Sequence, residues 1–157
     1  MVEAVTAARN IELNNPDVAV TVADARFMKP LDEDMIKTLA MNSDVLVTVE
    51  EGSKGGFGDA VMYFLSNEGL LDTGKLRART MVIPDVWIEQ GPIPDQYDIA
   101  GLNAPHITAK VEGLIQSVRN HAVQRRNVVD IKADAPVEKA SVEKEVRQSA
   151  PLTAINQ

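Results

Sequence analysis

What constrains this chain most is the alternation of short β-branched runs with segments of helical period. Residues 18–27 (VAVTVADARF) and 44–51 (DVLVTVEE) are nearly continuous in apolar character, as strands covered on both faces are, and residues 77–83 (RARTMVI) read as a further strand. Helical stripes lie between and around them. Ala4, Ala7, Ala8 and Ile11 recur at i, i+3, i+4 and i+7, and Asn14-Asn15-Pro16 stops that pattern. A second helix opens at Pro30-Leu31-Asp32. Its stripe is Met35, Ile36, Leu39 and Ala40, and Asp32, Glu33 and Asp34 sit where the helix dipole favours negative charge. A third helix turns Val61, Phe64 and Leu65 inward. The cleanest amphipathic helix starts at Pro105 and carries Ile107, Val111, Leu114, Ile115 and Val118 on one face. Strands alternating with helices imply an α/β fold with three α/β/α layers and a mostly parallel sheet. Met1 and Val2 are poor N-caps and no strand precedes the first helix, so the chain is expected to begin in the middle of a domain.

Two segments depart from the alternation. Residues 84–104 hold three of the eight prolines and are expected to form an ordered, irregular loop. Beyond Asn120 the apolar residues scatter among mixed charges and no aromatic residue follows Tyr97. The expected division is a domain over 1–120 and a disordered tail over 121–157, with a transient helix near 138–148. With 157 residues, 45% of them hydrophobic, one domain with a real core is the natural size.

Composition removes several classes of function. A net charge of −7 argues against a nucleic-acid or anionic-membrane surface, both of which need clustered Lys and Arg. No apolar run approaches the roughly 20 residues of a membrane-spanning helix. Glu3, Arg9 and Glu12 interrupt the N-terminal segment in a way that secretory signals do not. The absence of cysteine excludes disulfides, thiolate metal sites and a cysteine nucleophile, and fits a reducing compartment.

Few residues invite a chemical reading. The loop Gly52-Ser53-Lys54-Gly55-Gly56-Phe57-Gly58 joins a strand to a helix, where backbone N–H groups can hold an anion. It lacks the closing Gly-Lys-Ser/Thr of a P-loop, and Gly52, Gly55 and Gly58 stand three apart, unlike a dinucleotide fingerprint. Glu50, Glu51 and Asp59 flank it and would repel phosphate, so a tight strand-to-helix turn is the expected role, with nucleotide or small-ligand binding as the alternative. Glu50 and Glu51 end one strand, and Asp24 with Arg26 ends another. Such groups can meet at the carboxyl edge of a parallel sheet as acid and base, although solvated strand ends and a structural Asp24–Arg26 or Glu–Arg pairing account for them as well. His106 and His121 lack the spacing of a metal site. No serine has a nucleophile-elbow context. Trp87 and Tyr97 are expected to pin the 84–104 loop to the body. No catalytic, cofactor-binding or metal-binding residue is assigned.

Taken together, three segments are similar to a known family. Asp24-Ala25-Arg26-Phe27-Met28-Lys29-Pro30-Leu31-Asp32 resembles the D-x-R-x-x-x-P-L-D signature of the C-terminal domain shared by transketolases and 2-oxo acid dehydrogenase β subunits. Val49 through Gly58 resembles the next block of that domain. Leu70-Leu71-Asp72, Ile83-Pro84-Asp85, Ile88-Glu89-Gln90-Gly91, Asp95-Gln96-Tyr97 and Ala100-Gly101-Leu102 resemble the 1-deoxy-D-xylulose-5-phosphate synthase family within that group, and make a 2-oxo acid dehydrogenase β subunit the weaker match. The likeness covers about residues 1–118. The family's C-terminal domain opens with a strand and a glycine-bearing turn, and Met1-Val2 resembles the residues just after that turn, so the resemblance implies that the fold here lacks its first strand. Many members carry His where Gln90 stands. The resemblance implies a parent enzyme, several times longer and homodimeric, that condenses pyruvate with glyceraldehyde 3-phosphate to give 1-deoxy-D-xylulose 5-phosphate and CO2 for isoprenoid, thiamine and pyridoxal synthesis. It implies thiamine diphosphate and magnesium held by earlier domains, whose G-D-G…N-N motif and activating glutamate are absent here. This chain alone is then expected to buttress those domains without catalysing anything, in the cytosol of a bacterium or the plastid stroma of a photosynthetic eukaryote.

Overall fold

The computed structural model describes residues 1–133, with side chains through residue 124. In chain order its elements are α1 (Val2–Asn14), α2 (Glu33–Asn42), β1 (Val45–Val49), α3 (Phe57–Asn67), β2 (Arg77–Met81), α4 (Ile93–Ala100) and α5 (Ala104–Ala133). β1 and β2 pair in parallel, with Val45 opposite Arg77 and Val49 opposite Met81. They form the middle of three layers. On one face α2 and α3 enclose Ile36, Ala40, Val61, Leu65 and Ala78. On the other, α1 and α5 bring Ala7, Ala104 and Ile107 against Val49 and Met81. This is the expected α/β architecture, and its helices bury the stripes read from the sequence: Ala7, Ala8 and Ile11 in α1, Ile36 and Ala40 in α2, Val61 and Leu65 in α3.

Local chemistry explains the helix ends. Asp32 caps α2 by accepting the Met35 N–H at 3.0 Å. In α3 no side chain of the N-cap residue Gly56 is available, and a distant carboxylate takes its place, as described below. Gly101 ends α4 with φ 69°, a left-handed conformation that glycine adopts without steric cost. At the surface Lys37 pairs with Glu68 at 2.9 Å, joining α2 to α3; pairs this exposed add little stability.

Three expectations need correction. Residues 18–27 form no strand: they run as irregular chain, largely exposed and outside any ladder. β-branched residues fit a pleated surface only when a neighbouring strand supplies it, and β2 is the sole partner of β1 among the described residues. The 84–104 segment is not irregular throughout, because α4 occupies its second half. Pro92 stands at the N-cap of α4 and Pro94 in its first turn, where proline's missing N–H costs nothing. Finally, the tail expected to be disordered from 121 is helical at its start, because α5 continues past Asn120 to Ala133. The remaining expected tail, from 134 onward with its 138–148 helix, lies outside the described residues.

A cavity of about 1140 Å³ lies between the 17–28 segment and the unpaired edge of β1. It is lined by apolar residues of α1 (Ala4, Ala7, Ile11) and α5 (Ile107, Val111, Ile115). An exposed strand edge beside so large a cavity forgoes both ladder hydrogen bonds and packing. The 157-residue polypeptide is therefore expected to bind hydrophobic dyes and to melt below about 55 °C, low in the usual mesophilic range. Calorimetry decides this: a single cooperative transition well above that temperature would contradict it.

Candidate functional site

The carboxyl edge of the two strands is where polar side chains collect. β1 ends at Val49, and Glu50 follows with its N–H still bonded to the Met81 carbonyl at 3.0 Å. The half-buried Glu50 carboxylate turns back over the glycine loop. It accepts the Phe57 N–H at 2.9 Å on one oxygen and the Gly58 N–H at 2.7 Å on the other. These donors belong to the first turn of α3, which leaves its N–H groups without intrahelical partners. The backbone at this strand-to-helix junction does hold an anion, but the anion is the chain's own Glu50.

Glycine is required by that arrangement at two places in particular. A Cβ on Gly56 would stand 2.5 Å from Glu50 Oε2, inside the space the carboxylate needs. A Cβ on Gly58 would meet Thr48 Oγ1 at 2.7 Å and Thr80 Cγ2 at 2.8 Å, so Gly58 sets how closely α3 lies on the strands. Asp59 closes the loop by accepting the Gly55 N–H. Lys54 is exposed. The expected tight turn is what forms, and a phosphate at this helix end would have to displace Glu50.

Glu51, the neighbouring carboxylate, accepts the hydroxyl proton of Tyr97 at 2.5 Å. Tyr97 lies in α4, so this bond ties the 84–104 segment to the sheet edge, as expected for that residue. The hydrogen bond to Glu51 raises the Tyr97 pKa above its ordinary value, with burial and the charges of Glu51 and Glu3 adding in the same direction. Trp87 does not share this role. It is 86% exposed, so its ring is not packed against the body.

The second pair of strand-end residues is not drawn into a site. Asp24 and Arg26 line the same cavity as Glu50 and Glu51, but both are exposed, and no ion pair joins them to each other or to the two glutamates among the described residues. Instead the Arg26 N–H donates to Asp24 Oδ1 at 3.0 Å, and Arg26 sits at φ 56°, so the pair shapes a turn. His106 is structural: its Nδ1 lies 2.5 Å from Asn103 Oδ1, at the start of α5. His121 is on the exposed side of that helix. Among the described residues no three His, Asp or Glu side chains come close enough to hold a metal ion, and no helix is long and apolar enough to cross a membrane.

Sequence reasoning missed Glu3. Its carboxylate accepts the Ala104 N–H at 2.7 Å across 101 residues, joining the starts of α1 and α5. At the other end of α1, Asn14 and Asn15 donate to Glu112 at 3.0 and 3.2 Å, and Arg119 grips both oxygens of Asp17 at 2.8 Å. Nothing local signals partners so far apart in the chain. The carboxylates of Glu3, Glu50 and Glu51 are thus committed to backbone and phenol donors.

An α/β domain of parallel strands whose strand-end carboxylates lock its own turns is the class this geometry defines. Residues 1–107 match the transketolase C-terminal domain, and the chain belongs to that family. It is 53% identical over 100 residues to 1-deoxy-D-xylulose-5-phosphate synthase 1, chloroplastic, from Cannabis sativa, a match covering 64% of this chain and 14% of that relative. The resemblance read from the three sequence segments is thus supported for both the domain family and the type of protein that carries it.

Two measurements test the edge. Replacing Glu50 with Ala should lower stability by about 1–2 kcal/mol, the scale of losing a charged helix cap, in urea denaturation, and sulfate should restore part of that loss by occupying the freed N–H groups. In a Tyr63→Phe background, ultraviolet titration should show the Tyr97 phenolate forming above the usual tyrosine range, and Glu51→Gln should bring it down. Because the folded-state pKa lies above the unfolded one, the stabilisation from this contact is complete below about pH 10 and disappears as pH rises through the folded value.

Proposed function

We propose that this domain is the non-catalytic C-terminal unit of a thiamine-diphosphate-dependent synthase of the 1-deoxy-D-xylulose-5-phosphate type. The observation that carries the reading is the 53% identity over 100 residues to a relative bearing that name. The geometry agrees with it. The residues present do not fit thiamine diphosphate: the helix N-terminus suited to a diphosphate is closed by Glu50, and no carboxylate cluster suited to magnesium exists among the described residues. Cofactor and metal then belong to the remainder of a longer polypeptide, of which this chain matches 14% in the relative. On this reading residues 1–120 are the transketolase-type domain, and 121–157 lie outside it.

The parent reaction joins pyruvate to glyceraldehyde 3-phosphate, releases CO2 and yields 1-deoxy-D-xylulose 5-phosphate for isoprenoid precursors and thiamine. When bound, thiamine diphosphate supplies the carbanion chemistry. This domain's part is mechanical: Glu50, Glu51 and Tyr97 fix the loops at one edge, and α1 with α5 present a rigid layer to neighbouring domains of a homodimer. The relative's designation as chloroplastic supports a plastid stroma as its place of work.

A titration and an exchange experiment test the proposal. Calorimetric titration of the 157-residue chain with thiamine diphosphate and magnesium should give no binding, and pyruvate should not be consumed. Putting the matching 100 residues into the Cannabis sativa relative should preserve a soluble dimer and most of its turnover. Tight cofactor binding by the isolated chain, or a folded but inactive hybrid, would refute the assignment.

A further inference from the structure

We propose that the cavity beside β1 is an acceptor for one extended, apolar β-strand running parallel to β1, and that a separate peptide chain can supply it. The argument is independent of the parent enzyme's reaction. It begins with which backbone groups are free. The Arg77 N–H bonds to the Asp44 carbonyl and the Glu50 N–H to the Met81 carbonyl, so residues 44 and 50 face β2. In a parallel ladder successive residues face opposite edges, which directs the N–H and C=O groups of Val45, Val47 and Val49 into the cavity.

Handedness then selects what belongs there. α2 and α3 lie on the same face of the sheet. A right-handed crossover from 18–27 through α2 into β1 places 18–27 on the side of β1 away from β2. α1 lies on the opposite face. A right-handed crossover through α1 into 18–27 must move the other way across the sheet, so a strand leading into α1 would fall between 18–27 and β1. The cavity occupies that position. Residues 18–27 stay irregular because the strand they would pair with is the one this position accepts.

Size and charge agree. A five-residue strand within a sheet layer fills roughly 800 Å³, from ladder and layer spacings of about 4.8 and 10 Å, and the cavity measures about 1140 Å³. Its walls are apolar on both sides, with Ala7, Ile107 and Val111 over one face and Ile36, Phe57 and Val61 over the other, which suits a strand buried on both faces. Six carboxylates (Glu3, Asp17, Asp24, Asp44, Glu50 and Glu51) line the cavity against two guanidinium groups (Arg26 and Arg119). Glu50 and Glu51 follow the carboxyl end of β1, so a parallel strand with basic residues at its C-terminal end is the complementary partner.

The probe is a fluorescein-labelled octapeptide rich in Ala, Val and Ile and ending in two lysines, titrated into the full 157-residue chain. Saturable binding by anisotropy is expected, with a raised melting temperature and new amide-exchange protection at Val45, Val47, Val49 and within 18–27. The same peptide N-methylated at alternate residues should bind at least about tenfold more weakly, the scale of losing one or two ladder hydrogen bonds. Equal binding of the methylated peptide, protection elsewhere, no binding at all, or a stable dimer of the chain that the peptide leaves intact would each overturn the proposal.

Discussion

The bond pattern of Glu50 organises everything at the carboxyl edge of this domain. A helix that starts directly after a glycine loop leaves several N–H groups unsatisfied and carries partial positive charge there. A carboxylate from the preceding strand end answers both needs, and charge-assisted bonds to backbone N–H groups are stronger than neutral ones. The geometry demands glycine at positions 56 and 58, since side chains there would strike Glu50, Thr48 or Thr80. Sequence, turn and helix placement are therefore one constraint: the acidic residue, the small residues and the close approach of α3 to the strands require one another.

The helices were largely legible in the sequence, because a 3.6-residue period is local information. Val61 and Leu65 could be placed inward without knowing what they would meet. Strands are different. Residues 18–27 carry as strong a β-branched pattern as β1, yet only β1 becomes a strand, because a ladder depends on a neighbour that may come from anywhere in a chain. The prolines near 92 and 94 misled for another reason. Proline interrupts a helix in its interior but suits its first turn, and composition alone does not say which applies.

The candidate site was legible in position but not in role. The glutamates at the end of β1 stood out as charges that would repel a phosphate. In the fold Glu50 does more, because it occupies the place where a phosphate would bind. Tyr97 was recognisable as an anchor by residue type, whereas Trp87, chosen on the same grounds, faces solvent. Aromatic character marks a residue able to pin a loop, but the backbone path decides whether it can.

The α1–α5 layer shows how a cavity of this size keeps its shape. Apolar helices over such a space would gain by collapsing into it, since close packing is what burial rewards. Here α1 is fastened to the rest of the domain at both ends by polar contacts: Glu3 to the Ala104 N–H at its start, Asn14 and Asn15 to Glu112 and the adjacent Asp17 to Arg119 at its finish. These bonds have directional geometry and lose strength when the helix shifts or rotates. Collapse would break them and leave the Glu3 carboxylate and the Ala104 N–H, both part-buried, without partners. The polar stitches thus hold an apolar wall at strand-width distance from β1, which is the arrangement a sheet needs if another strand is to enter it.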